Sequence, residues 1–135
     1  MSLTINQAKN IIITQFETDW ASATPIAKDN QDFTPPINTD SWVFLSIQVT
    51  GGGQITLGGT TAVHRHTGFV YVKVNTPKGE STYANDLLCQ NAENVFAGKH
   101  ISDVWFRNVR TMYVGIIDKW FVQTVVAEMQ FDEIK

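Results

Sequence analysis

The stretch HRHTGFVYVKV at His64–Val74 decides the fold, because apolar and polar side chains alternate along it. Successive side chains of a β-strand point to opposite faces of a sheet, so this stretch is predicted to be a long strand. Its inward face is made of valines, and its outward face mixes rings with polar groups. The inward residues are Val70, Val72 and Val74, and the outward ones are Arg65, Thr67, Phe69, Tyr71 and Lys73.

Glycines connect this strand to an earlier one. Residues 42–49 alternate, with Val43, Leu45, Ile47 and Val49 predicted to face the core. Gly51–Gly53 is predicted to be a bend, and residues 54–57 a short strand before Gly58 and Gly59. Because glycine reaches positive φ angles at little cost, a tight turn or an extended flexible hairpin is expected here.

The C-terminal third is predicted to complete the sheet. Residues 101–109 and 111–117 have the composition of strands, and the pattern leaves open whether a turn separates them. A final strand is predicted at residues 120–131. Its core face is predicted to carry Phe121, Val125, Ala127, Met129 and Phe131.

Two amphipathic helices flank the central strands. The first runs from Leu3 to Trp20 with apolar residues at steps of three and four, Thr4 as its N-cap and Pro25 beyond its end. The second begins at a cap on Ser81 and ends at Phe96 before Gly98. Its predicted buried stripe consists of Ala84, Leu87, Leu88, Ala92, Val95 and Phe96. Residues 22–40 are predicted to form an irregular surface arm.

The order of these elements predicts an α+β fold, with a mostly antiparallel β-sheet and two helices packed on it, as one domain over residues 1–135. Only 17% of the residues are charged while 43% are hydrophobic. Soluble domains average about 25% charged residues, so part of the apolar surface is predicted to be buried against another subunit.

The composition also limits the classes of molecule that the protein is expected to bind. The formal net charge is −3, without a basic run, which argues against nucleic-acid binding. No apolar run approaches the ~20 residues that span a bilayer, and the N-terminus lacks the layout of a signal peptide. A soluble protein made in the cytosol, with no membrane partner, is expected.

No catalytic residue, cofactor site or metal site is predicted. His64 and His66 share one face of a strand and could bind one metal ion together. A third ligand is needed, and the only other histidine, His100, is far along the chain. Polar residues at a strand end near a subunit interface are the favoured interpretation. Cys89 is predicted to be a packed helix residue, and Gly51–Gly53 precedes neither a helix nor a Lys-Ser/Thr pair, so it is not a phosphate loop.

A set of weak local motifs follows in a fixed order over nearly the whole chain. The motifs are Phe33-Thr34-Pro35-Pro36, the strand start Trp42-Val43, Leu57-Gly58, the Arg-x-x-Gly of Arg65 to Gly68, the turn Pro77-Lys78-Gly79, the helix with Ala84 and Phe96 that closes at Gly98, and the late aromatic Trp120. In this order the chain resembles the small tail terminator (tail completion or minor tail) proteins of long-tailed bacteriophages, lambda type. One departure is Glu80-Ser81, where members often carry a second glycine after the turn.

The resemblance implies a structural role without turnover. Such proteins form a homo-hexameric ring on the head-proximal end of the tail tube, stop tube polymerisation and provide the surface that docks to the head. The implied partners are further copies of the chain, the tail tube protein and a head–tail connector protein. The implied location is the virion, after assembly in the host cytoplasm. The alternative is a head–tail connector or joining protein.

A ring needs a head-to-tail interface, in which one patch meets a different patch on the next subunit. The proline-rich arm, the glycine-flanked loop and the strand end beside it are therefore candidate contacts. Arg65 is favoured among them, because its planar guanidinium suits a carboxylate partner. The candidate interface residues are Phe33, Pro35, Pro36, Gly52, Gln54, Leu57, His64, Arg65 and His66.

Overall fold

A computed structural model describes residues 3–21, 23–36, 40–56, 62–79 and 81–134. Its helices and strands are α1 (Ile5–Trp20), β1 (Ile26–Lys28), β2 (Trp42–Gln54), β3 (Val63–Pro77), α2 (Tyr83–Phe96), β4 (His100–Ile101), β5 (Val104–Ile117) and β6 (Trp120–Ile134). One six-stranded sheet has the order β1-β2-β3-β6-β5-β4, and every neighbouring pair except β1–β2 is antiparallel. The predicted α+β class with a mostly antiparallel sheet is confirmed.

Helix α1 forms where the sequence predicts it. The Thr4 side chain accepts the N–H of Gln7, and the Gln7 side chain accepts the N–H of Thr4, which makes a complete capping box. The helix ends at Ala21, which adopts a left-handed φ of 51°, well before Pro25. Its buried stripe faces the sheet and consists of Ala8, Ile12, Phe16 and Trp20.

The core lies between the two helices and one face of the sheet. The predicted inward valines of β3 are fully buried, as are the inward residues of β2 up to Leu45, with Ile47 close to full burial. The predicted core face of β6 is also confirmed, since every one of its members is buried. Phe16 of α1 and Phe96 of α2 stack with their ring centroids 6.1 Å apart, so the two helices meet over the sheet.

The glycines form an extended hairpin, one of the two predicted forms, and β2 continues through Gly51–Gly53 without the predicted bend. A register shift between Val49 and Gly51 inserts one extra residue, and Gly52 then lies opposite His66. Glycine fits here because a side chain at Gly51 would press against the Thr67 hydroxyl. The predicted short strand at residues 54–57 is also not separate, since Gln54 ends β2 and Leu57 lies outside the described residues.

Strand β5 resolves an open question from the sequence, and strand β1 was not predicted. β5 is one continuous strand with two register shifts, which answers the question left open at residues 101–117. The arm contains a short strand, β1, that pairs in parallel with Val43–Leu45. Alternation over three residues is too short to predict such a strand from the sequence.

Helix α2 begins two residues later than predicted. Ala92, Val95 and Phe96 of its predicted stripe are buried, but its first two turns bury other residues than predicted. Its N-cap is Thr82, without a side-chain hydrogen bond, so the predicted cap at Ser81 is wrong. Ala84 and Leu87 are exposed, whereas Asn85 is fully buried. Asn85 faces the sheet because it forms hydrogen bonds with β3 and β6. A pattern of apolar residues cannot reveal these bonds. Gly98, predicted to follow the helix end, has a left-handed φ of 66°.

Asn85 is the centre of a buried polar network. Its Nδ2 donates to the Val74 carbonyl at 3.2 Å, the Thr76 hydroxyl at 3.1 Å and the Phe121 carbonyl at 3.1 Å. Its Oδ1 accepts Nε2 of Gln123 at 3.0 Å. A buried amide is stable only when its partners are in place, so this network fixes where α2 sits on the sheet.

Cys89 is buried in α2, as predicted, and burial raises the pKa of its thiol to about 12. The thiolate is the reactive form, so we expect iodoacetamide at pH 8 to label Cys89 only when the protein unfolds. Labelling followed by mass spectrometry, with and without denaturant, checks this. Rapid labelling of the native protein would contradict the buried position.

Candidate assembly surface

The strand register brings five of the predicted interface residues together at one end of the sheet. Gln54 lies opposite His64, and Gly52 lies opposite His66, with Arg65 between them on β3. Gly52 and Gln54 are exposed, while the three β3 residues are half-buried. This end of the β2–β3 hairpin carries the three β3 side chains on both faces of the sheet, since Arg65 points to the face opposite His64 and His66. Whether another subunit contacts it remains a prediction.

Arg65 makes the kind of bond predicted for it, but within its own chain. Its Nε and Nη2 donate to the two carboxylate oxygens of Asp132 at 2.9 and 3.2 Å. The two residues are direct cross-strand neighbours on β3 and β6. The hydrogen bond from Arg65 holds the pKa of the Asp132 carboxyl below its ordinary value. Arg65 therefore enters any subunit contact already paired.

His66 is also held within the chain. Its Nε2 lies 3.0 Å from a carboxylate oxygen of Glu133, and its ring stacks on Phe131 with centroids 4.9 Å apart. His100 lies in β4 at the far edge of the sheet, stacked on Trp105. Across the part of the chain that the structure describes, no three His, Cys, Asp or Glu residues form a group that could hold a metal ion.

The arm residues form a second, separate group. Phe33 stacks on Trp42 with centroids 5.2 Å apart, and Pro36 is half-buried while Pro35 is exposed. Trp42 begins β2 and Gly52 lies ten residues further on, so the two groups are ~33 Å apart at the usual rise per strand residue. The predicted interface residues are therefore two patches. Leu57 lies outside the described residues.

The exposed large apolar side chains of the described residues are most numerous on β5, and this was not predicted. Six of the eleven exposed large hydrophobic side chains among the described residues are on this strand, with exposed fractions between 46% and 74%. They are Trp105, Met112, Tyr113, Val114, Ile116 and Ile117. The sequence signal was the run Met112–Ile117, which is apolar without alternation, whereas a strand with one solvated face alternates.

Two arginines precede this apolar run on β5. Arg107 and Arg110 each lie 3.5 Å from the carboxylate of Glu128 on β6, and Asn108 donates to the same carboxylate at 2.9 Å. One carboxylate thus faces two guanidinium groups. β5 itself carries no acidic residue, so Glu128 offsets one of these two positive charges.

Acid should weaken the protein in part through the Arg65–Asp132 pair. A lowered carboxyl pKa in the folded state stabilises the protein above the ordinary carboxyl pKa of about 4, and this contribution is lost as pH falls through the lower folded value. We therefore expect the Tm of Arg65→Gln to fall less steeply below about pH 4 than that of the wild type. Asp132→Asn removes the titrating group and should flatten the profile in the same way. Three parallel profiles of Tm against pH would contradict this account.

Exposed apolar patches are typical of surfaces that contact other molecules. The fold and this surface together define an α+β domain with exposed apolar side chains on a strand near one edge of its sheet. None of the described helices is long and apolar enough to cross a membrane.

Comparisons with known proteins identify the family. The model of the family described as "Phage tail terminator protein" matches residues 8–117. The chain therefore belongs to the phage tail terminator family, as the ordered motifs suggested, and it is a structural protein of the phage tail. A comparison with curated protein sequences finds no match.

The fold itself has solved counterparts. Twenty-one chains of solved structures match. One of them, whose name carries no functional description, has 18% sequence identity and a TM-score of 0.59, and the match covers 91% of this chain and 94% of that one. At this identity the likeness establishes the fold alone.

Proposed function

We propose that this protein forms a hexameric ring on the head-proximal end of the tail tube, where it stops tube polymerisation and presents the surface that docks to the head. The observation that carries the proposal is the family match over residues 8–117, which includes both helices and most of the sheet. The tail tube protein and a head–tail connector protein are the proposed partners. The role is structural and involves no turnover.

The surface of the subunit supports a ring. A head-to-tail ring needs two different patches on each subunit, since an identical pair of patches closes a dimer instead. The chain offers distinct surfaces at its two sheet edges, one rich in glycine and one rich in exposed apolar side chains. The arm at Phe33 then remains for contacts with the tube or the connector.

Electron microscopy of tails made with and without this protein tests the proposal. Without a terminator, tube growth has no stop, so we expect tails of irregular and excessive length that carry no heads. A plasmid-borne wild-type copy should restore uniform tails joined to heads. Uniform tails of normal length that lack heads would instead favour the connector role, and normal complete virions would contradict both.

A further inference from the structure

The sheet has two open edges, and they lie at opposite ends. β4 covers only Val104 and Trp105 of β5, so residues 106–117 have no strand on their outer side among the described residues. β1 covers only Val43–Leu45 of β2. An open strand with exposed apolar side chains is a ready template for pairing with another chain.

The backbone of β5 is oriented for such pairing. Strand N–H groups alternate in direction, and the alternation passes from strand to strand through the register. The Val43 N–H points out of the sheet, toward the Pro25 carbonyl at 3.1 Å. Val43 pairs with Val74, Val74 pairs with Gln123, and Gln123 pairs with Tyr113. When the alternation is followed through these pairs, the N–H of Tyr113 points out of the opposite edge of the sheet.

Asp29 occupies the outer edge of β2 as far as Ile47, and the open part of β2 begins after this residue. One carboxylate oxygen of Asp29 accepts the Ile47 N–H and the Ser46 hydroxyl, both at 3.1 Å. Beyond Ile47, residues 48–54 have no outer strand among the described residues. This segment includes Gly51–Gly53, which present almost no side chain.

We propose that the outer edge of β5 in one copy pairs with the outer edge of β2 in the next copy, residues 106–117 against residues 48–54. The inference rests on the proposed ring and names its seam. β2 and β5 are separated by three antiparallel steps, so they run in opposite directions. Continuing the sheet into a neighbouring copy therefore makes a regular antiparallel pair, with the helices on the same side throughout.

Side-chain size favours a second copy as the occupant. Large side chains on one edge strand cover glycines on the next, an arrangement that stabilises glycine-containing strands. Tyr113 and Ile116 of β5 supply the bulk, and Gly51–Gly53 supplies the space. Two β5 edges would instead bring bulk against bulk.

Charge favours the same pairing. β5 carries Arg107 and Arg110 and no acid. The segment at the other edge, residues 25–54, carries three carboxylates against the single positive charge of Lys28. These carboxylates are Asp29, Asp32 and Asp40. Complementary charge at two different edges favours head-to-tail over two-fold association.

The short strands β1 and β4 fix how the copies are offset. β1 covers β2 beside Val72–Val74 of β3, and β4 covers β5 near the other end of the sheet. The open halves therefore lie at different heights, and the next copy must be shifted along the strands. A stagger of this kind is what closing a sheet into a ring or barrel requires.

Crosslinking of variants that each carry one introduced cysteine tests the seam. Gln48→Cys on β2 and Met112→Cys on β5 are exposed, and their cross-strand neighbours place them on the face away from the helices. With a flexible bismaleimide at high protein concentration, the mixed variants should give covalent dimers and neither variant alone should. The double variant should give a ladder of multimers. The wild type, whose Cys89 is buried, serves as the blank.

Each other outcome overturns the seam. Dimers of Met112→Cys alone would show two-fold pairing of β5, and no crosslink in any mixture would leave β5 outside the contact. These results are independent of tail length. If the variants crosslink but tails assembled without the protein are normal, the proposed function alone is contradicted. If those tails are irregular but the variants do not crosslink, the seam alone is contradicted.

A matched pair of lysine variants checks the energetics. Ile116→Lys places a charge on the proposed seam, and Leu87→Lys does so on an exposed apolar residue of α2. We expect Ile116→Lys to weaken self-association, measured by sedimentation, about tenfold or more. Leu87→Lys should leave it unchanged, and equal effects of the two variants would overturn the assignment to β5.

Discussion

Gly68→Ala will lower the free energy of unfolding by about 3 kcal/mol or more, because there is no room for a Cβ atom at this position. Gly68 lies opposite Val49 at the register shift of β2. An added Cβ would overlap the Gln48 carbonyl oxygen and lie 2.9 Å from Cα of Val49. Both are backbone atoms, so no side-chain movement relieves the overlap. Urea denaturation followed by circular dichroism measures the loss.

The matched control is Gly53→Ala in the same hairpin. A Cβ at Gly53 meets no atom within 4 Å. Its φ is not among the positive values of the described glycines, so alanine is compatible there. Alanine should therefore leave stability unchanged or raise it by about 0.4–1 kcal/mol, through the smaller entropy of the unfolded chain. Equal losses at the two positions would contradict the close approach at Gly68.

Asn85→Ala is expected to cost about 3 kcal/mol of unfolding free energy, since it removes the centre of the buried network. The Gln123 amide would keep its hydrogen bond to Asp86 at 2.8 Å but lose the one to Asn85. The Thr76 hydroxyl and the carbonyls of Val74 and Phe121 would each lose a donor. Denaturant unfolding again provides the measurement.

Asn91→Ala on the same helix controls for the loss of an asparagine from α2. Asn91 is exposed, so alanine should change stability by no more than about 0.5 kcal/mol, with helix propensity in its favour. If the two variants unfold alike, the network does not anchor α2, and another contact must place it.

The sequence predicted the elements whose burial is periodic. Alternation located β2, β3 and β6 with their correct inward faces, and the N-cap residue Thr4 located the start of α1, because both signals are local. Two features depend on non-local partners and were missed. Asn85 faces inward only because β3 and β6 supply its hydrogen-bond partners, and the glycines of β2 extend only because β3 lies beside them.

The assembly surface was predictable only in part. Register joined Gly52 and Gln54 with His64–His66, as their order around the hairpin suggested. The sequence could not show that Arg65 has its partner 67 residues away, on a strand that the fold brings alongside. It also concealed the apolar edge of β5, since an apolar run is equally consistent with a strand buried on both faces. Only the strand order leaves β5 near the outside of the sheet.

Tube growth in vitro tests the central claim most directly, that this subunit stops polymerisation of the tail tube. Preformed tubes are incubated with the protein, fluorescent tube protein is added, and the labelled extension at each end is measured by microscopy. The account predicts that extension ceases at one end, and that Ile116→Lys restores growth there while Leu87→Lys does not. Extension at both ends in the presence of saturating wild-type protein would contradict it.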